Sequence, residues 1–182
     1  MCKGSYFQLR NIGLIRKYLS SDTAAQLVHA FVTSRLDYAN SLLYGVPDIH
    51  LDKLQRVQNT AARVISLTRK YDHITPVLKS LHWLPVKLRI DFKILLLVFK
   101  IINDMAPSYL VSLISYKSHP RSLRSLTHNE LVEPRSRLTT YGDRAFSIVA
   151  PPLWNKLPKD IRVSTSLVLF KKKLKTHLYR KF

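Results

Sequence analysis

The chain has 182 residues, 46% of them hydrophobic, with four glycines and one cysteine, Cys2. That is enough apolar material for a core in one domain or two small ones, and it excludes wholesale disorder, an internal disulfide and a glycine-rich phosphate loop. Thirty Lys and Arg face eleven Asp and Glu, a formal +19 with a pI near 10.3; a field of that sign attracts polyanions, nucleic acid first and acidic membrane surface second.

In chain order, Ser5 to Leu19 carries Phe7, Leu9, Ile12, Leu14, Ile15, Tyr18 and Leu19 at helical spacing, with Gly13 as a weak point. Ser20, Ser21 and Asp22 offer N-caps for a helix from Asp22 to Tyr44, closed by Gly45 and barred from resuming by Pro47. Asp48 caps a third helix, Ile49 to Thr68, whose basic flank and end hold Lys53, Arg56, Arg63, Arg69 and Lys70. Arg69 and Lys70 have an ordinary explanation too, since cations suit a helix C-terminus. A short helix from Pro76 to Leu81 comes next, with Pro76 in its first turn.

The stretch LHWLPVKLRIDFKILLLVFKIINDMAP, bracketed by Pro85 and Pro107, predicts the central helix at about 86–104. It is apolar on nearly every side, which means burial among other elements or insertion in lipid. Its longest unbroken apolar run is six residues, far short of the roughly 18 of a membrane span, so it reads as a core helix. Arg89, Lys93 and Lys100 line one edge, as a solvated seam or a nucleic-acid contact. The piece SYLVSLI after Pro107 is expected to pack back on this helix.

Residues 116–128 are Ser-rich and basic and contain Pro120, a connector where the chain would divide. There Arg121 and Arg124 are phosphate candidates, against a plain solvated loop. Two short extended pieces around the EPRS turn would pair as a β-hairpin near 131–141. Then RAFSIVAPPLWNKLP predicts a helical turn or two ended by Pro151 and Pro152. Trp154 beyond them is a core plug rather than a base-stacking platform. The tail from Ser164 to Phe182 is a last amphipathic helix in which Lys171, Lys172, Lys173 and Lys175 have no balancing acid. It is a phosphate-tracking candidate or simply a soluble helical end.

Catalytic chemistry finds little to work with. The acids are dispersed: no two are adjacent, and the nearest pairs are Asp48 with Asp52 and Glu130 with Glu133. Two-metal phosphoryl transfer needs clustered carboxylates. The seven histidines are scattered and no Cys/His set has zinc spacing. We expect no catalysis, no metal and no cofactor. No apolar stretch at the start resembles a signal peptide, so an intracellular site, nuclear or cytoplasmic, is expected.

Several long strings together carry a resemblance. SRLDYANSLLYGVP (34–47), LDKLQRVQNTAARVI (51–65), HITPVLKSLHWLPVKLRIDFKILLLVFK (73–100), APSYL (106–110), RSLRS (121–125), PRSRLTTYGDRAFSIVAPPLWNKLP (134–158) and LFKKKLKTHL (169–178) span nearly the whole chain. In that order they resemble the region downstream of the polymerase core in open reading frame 2 of non-LTR, LINE-like retrotransposons, of the jockey type and its relatives in animal genomes. The resemblance implies the thumb-like helices and the segment beyond them. It confers no catalytic role, because the family's palm carboxylates lie in a [YF]-x-D-D motif and no Asp-Asp stands in this chain. The family's endonuclease sequence is also missing. Met1 directly before family-like sequence suggests a truncated copy or a gene reading over a degenerate insertion.

The expectation is therefore a mainly α, multi-helix fold around one buried central helix. Residues 1–115 would form a thumb-like domain, 116–128 the connector, and 129–182 a small segment ending in the basic helix. Its function would be to help hold template and primer, RNA–DNA or DNA, by backbone contacts that do not read sequence. The residues for that role are Arg56, Arg63, Arg69, Lys70, Arg121, Arg124, Lys171, Lys172, Lys173 and Lys175. The alternatives are a helical remnant whose partner was only the missing palm, and a binder of anionic membrane through the tail helix.

Overall fold

The computed structural model describes residues 1–117, 130–136, 138 and 140–182. Within them the protein is mainly α, as the apolar periodicities predict. The chain divides into two compact units, residues 1–89 with Phe182 and residues 90–181. This division falls inside the central helix and not at the connector. The cause is local: Lys117 N donates to Glu130 O and Val132 N to Ser115 O, and Tyr116 and Leu131 form an antiparallel bridge. Both ends of the connector are thereby tied into one unit.

In the first unit, α1 (Cys2–Ile15) runs into a 3₁₀ turn over Arg16–Tyr18. The next helix, α2 (Ser21–Val28), is capped by Ser20, whose hydroxyl accepts from Thr23 N at 3.1 Å. A π-helical turn over His29–Thr33 carries it into α3 (Ser34–Asp37). The helix expected to reach Tyr44 stops here: Tyr38 is extended, Ala39 is left-handed at φ 50°, and only a 3₁₀ turn remains over Asn40–Leu43. In this broken path Tyr38 and Leu42 are exposed while Asn40 is buried.

Gly45 (φ 69°) and Pro47 make the turn into α4 (Asp48–Ser66). Its buried stripe is Leu51, Leu54, Val57, Gln58, Ala61, Ala62 and Ile65. With these α4 packs against α1, α2 and the short α5 (Ile74–Ser80), which carries Pro76 in its first turn as expected. Two glutamines of α4 anchor the chain beyond α5. Gln58 Nε2 donates to Leu84 O at 2.8 Å, and Gln55 Oε1 accepts from Val86 N at 2.8 Å. The latter satisfies an orphan donor at the start of the central helix, α6 (Val86–Ile102).

Arg89 leaves the basic edge expected of α6. Its Nη1 lies 2.9 Å from both Asp37 oxygens, its Nε donates to Leu84 O, and its guanidinium sits over the Trp83 ring. It is a bracket of the first unit, and only Lys93 of that edge is fully exposed.

In the second unit, α7 (Ser108–Val111) comes after α6. Against expectation it buries nothing: Tyr109, Val111 and Leu113 are exposed. The predicted hairpin at 131–141 does not form among its described residues. The extended pairing available to Leu131 is taken by Tyr116 across the connector, and Asn155 holds Leu131 through both its N–H and its carbonyl.

A further departure is α8 (Phe146–Asn155), which runs through Pro151 and Pro152 instead of ending there. Each internal proline costs about 3 kcal/mol. Burial of Val149, Ala150, Pro151 and Trp154 offsets it. Trp154 is wholly buried, its ring 5.8 Å from that of Phe170, which stacks on Phe99 at 4.2 Å. A base cannot reach it, so the core-plug reading holds. One further turn, α9 (Lys159–Arg162), leads to α10 (Leu167–Tyr179), capped by Ser166 and buried along Phe170, Leu174 and Leu178. This is the expected tail helix. No helix among the described residues is long and apolar enough to cross a membrane.

Candidate nucleic-acid interface

The basic flank of α4 opens on a groove of about 730 Å³, walled on the other side by α1. Arg56, Asn59, Thr60 and Arg63 recur at three- and four-residue steps, so they share one face of α4. Tyr6 and Gly13 come from α1, Arg16 from the turn after it, and Thr68 and Lys70 from the segment after α4. No lining residue is acidic.

The four cations of this groove are not equally available. Arg16 is buried and fully engaged. Its Nε donates to Val64 O at 2.9 Å, Nη2 to Ile65 O at 2.6 Å and Nη1 to Leu19 O at 2.7 Å. Val64 and Ile65 lie in the last turn of α4, whose carbonyls have no helical partner, and the helix ends on left-handed Leu67 at φ 55° without a glycine. The Arg16 side chain substitutes for the missing cap. Arg63 is half committed, its Nε donating to Arg69 O and its Nη2 to Asp72 O, which folds the adjoining loop back. Arg56 and Lys70 are exposed, and neither side chain hydrogen-bonds a described residue; Lys70 Nζ lies 5.9 Å from the Tyr71 ring centre. These two are the unspent charges of the site.

Of the sequence candidates, Arg56, Arg63 and Lys70 therefore meet in one groove, while Arg69 is exposed outside its lining. Arg121 and Arg124 lie outside the described residues. The tail lysines belong to the second unit and do not act as one face. Lys171 and Lys175 are exposed at an i, i+4 step. Lys172 and Lys173 line a separate cavity of about 380 Å³ with Asp160, Thr176, His177 and Arg180. Lys173 Nζ is spent on Asp160 O at 2.8 Å. His177 Nε2 is buried there without a hydrogen-bond partner among the described residues. Burial first, then the charges of Lys181 and Arg180, hold its pKa below the usual histidine value, with Asp160 opposing.

Sequence reasoning missed Tyr6, Asn59 and Thr60. The repeat of polar residues at 56, 59, 60 and 63 was a readable signal for the α4 wall. Nothing in the sequence announced that Tyr6 of α1 would face it.

Comparison of the chain with protein-family models, curated proteins and solved structures finds no match.

Proposed function

We propose that this chain is a non-catalytic, retrotransposon-type reverse-transcriptase fragment that holds nucleic acid by its backbone. The observation that supports the reading is the acid-free α1–α4 groove, in which Arg56 and Lys70 are unspent and Arg63 is half spent. Such cations neutralise phosphates without reading bases. The exposed pair Lys171 and Lys175 offers a second, weaker track. No catalytic residue is assigned. The test is a titration of the full chain against a short RNA–DNA hybrid at two salt concentrations. Affinity falling steeply with salt is expected, through counterion release. A folded sample that fails to bind at low salt overturns the proposal.

One observation favours a second reading, a helical remnant whose partner was a polymerase palm. Phe7 and Leu14, seven residues apart on one face of α1, are 61% and 70% exposed, an apolar stripe of the kind a protein partner covers. If the purified chain self-associates, becomes monomeric on Phe7→Glu with Leu14→Glu, and never binds the hybrid, this reading replaces the first.

A further inference from the structure

The groove contains more than charge. Gln55 Oε1 accepts from Val86 N, which fixes the orientation of the Gln55 amide. Its Nε2 then donates to Asn59 Oδ1 at 2.8 Å. Asn59 is thereby locked with its oxygen satisfied and its Nδ2, a double donor, left without a described partner on the groove wall. Thr60 gives its hydroxyl proton to Arg56 O at 2.8 Å and keeps its lone pairs. Tyr6 contributes an aromatic ring, 41% exposed, to the same groove. A purely electrostatic grip on a duplex needs neither a pre-set amide nor a ring.

We infer that the α1–α4 groove takes an unpaired strand of nucleic acid, with one base stacked on Tyr6, phosphates on Arg56 and Lys70, and Asn59 Nδ2 donating to an acceptor on the base or sugar. This rests on the backbone-binding reading above and deepens it by naming the strand state. A duplex hides its base faces in its own stack, so Tyr6 offers it nothing. An unpaired strand presents a π-face at every nucleotide, and stacking of this kind is tolerant of sequence. The groove's volume lies in the range of clefts that enclose a small ligand, about 300–1,000 Å³, which suits a nucleotide or two entering it, while a duplex would reach only its cations.

The experiment is a fluorescence-anisotropy titration of the full chain with three probes of equal length: a single strand, its duplex, and an abasic strand that keeps the phosphates and lacks the bases. The single strand should bind tightest, about tenfold over the abasic strand, from one base–aromatic stack. Tyr6→Ala should remove that advantage and Tyr6→Phe should keep it; Asn59→Ala should cost a few-fold. Because Tyr6 is exposed, its loss should leave helix content and melting unchanged. A second variant fills the groove without touching the cations: a Cβ at Gly13 meets no atom within 4 Å, so Gly13→Leu should fold and weaken single-strand binding. If all three probes bind alike and Tyr6→Ala changes nothing, while binding still falls with salt and with Arg56→Gln, the inference is overturned and the backbone grip stands. If no probe shows salt-dependent binding, the backbone reading fails and the inference with it.

Discussion

Each unit buries an arginine, and the two are in opposite circumstances. Arg16, 8% exposed, donates three hydrogen bonds to the backbone carbonyls of Leu19, Val64 and Ile65. Arg162, 6% exposed, has both Nε and Nη1 buried without a partner among the described residues. The first charge is part of the α4 terminus; the second holds two of its three nitrogens out of water with no described partner. The difference teaches how to read a charge of +19. In the first unit Arg16 and Arg89 serve the fold, and Arg63 serves it in part. A basic composition therefore overstates the charge available to a ligand, and what matters is which guanidinium groups are unspent.

The sharpest way to test the contrast is through the elements that carry each unit. Trp154→Ala removes one ring of the second unit's aromatic cluster and should lower stability by about 3–5 kcal/mol, read by loss of helical circular dichroism in urea. Next, Arg16→Met should lower stability by about 3 kcal/mol, because two carbonyls at the end of α4 lose charged donors. Arg162→Met should act in the opposite sense, raising stability by about 1–2 kcal/mol by removing two buried donors without a described partner. Trp83 and Trp154 are both buried, one in each unit, so fluorescence with one of them changed to Phe tracks each transition separately. If the two Met variants shift stability in the same direction, the contrast is wrong.

Smaller effects refine it. Gly13→Ala, at an open position inside α1, should stabilise the first unit by about 1 kcal/mol through helix propensity. In the second unit His177 supplies a pH dependence. Its folded pKa is depressed, so the unfolded chain takes up the proton first as pH falls below about 6.5. Stability from this group is intact above that value and is lost as pH falls through the lower folded pKa. His177→Gln should flatten that acid loss, measured as urea midpoints between pH 7.5 and 5.

Where the sequence was legible, the signals were local. Ser20 before α2, Pro76 in α5, the prolines bracketing α6 and the apolar stripe of the tail helix each act within a few residues, and each holds. What failed was decided by distant partners. The segment Asp22–Tyr44 contains no Gly or Pro to announce its break at extended Tyr38 and left-handed Ala39. Pro151 and Pro152 read as stops, yet burial around Trp154 carries α8 through them. The extended pairing expected within 131–141 went to Tyr116. The candidate site was half legible: Arg56 and Arg63 were named from one helix face, but the closing of the groove by Tyr6 and the withdrawal of Arg16 depend on α1 lying beside α4. No periodicity encodes that.

The central claim is that the first unit's groove, more than the tail, carries the grip on nucleic acid. The direct test compares salt slopes for a single strand among the wild-type chain, Arg56→Gln with Lys70→Gln, and Lys171→Gln with Lys175→Gln. The groove pair should reduce the slope of log K against log salt by about 1.4, two phosphate contacts at about 0.7 each for a single strand, and the tail pair by less. A groove pair that leaves the slope unchanged while the tail pair flattens it would contradict the account.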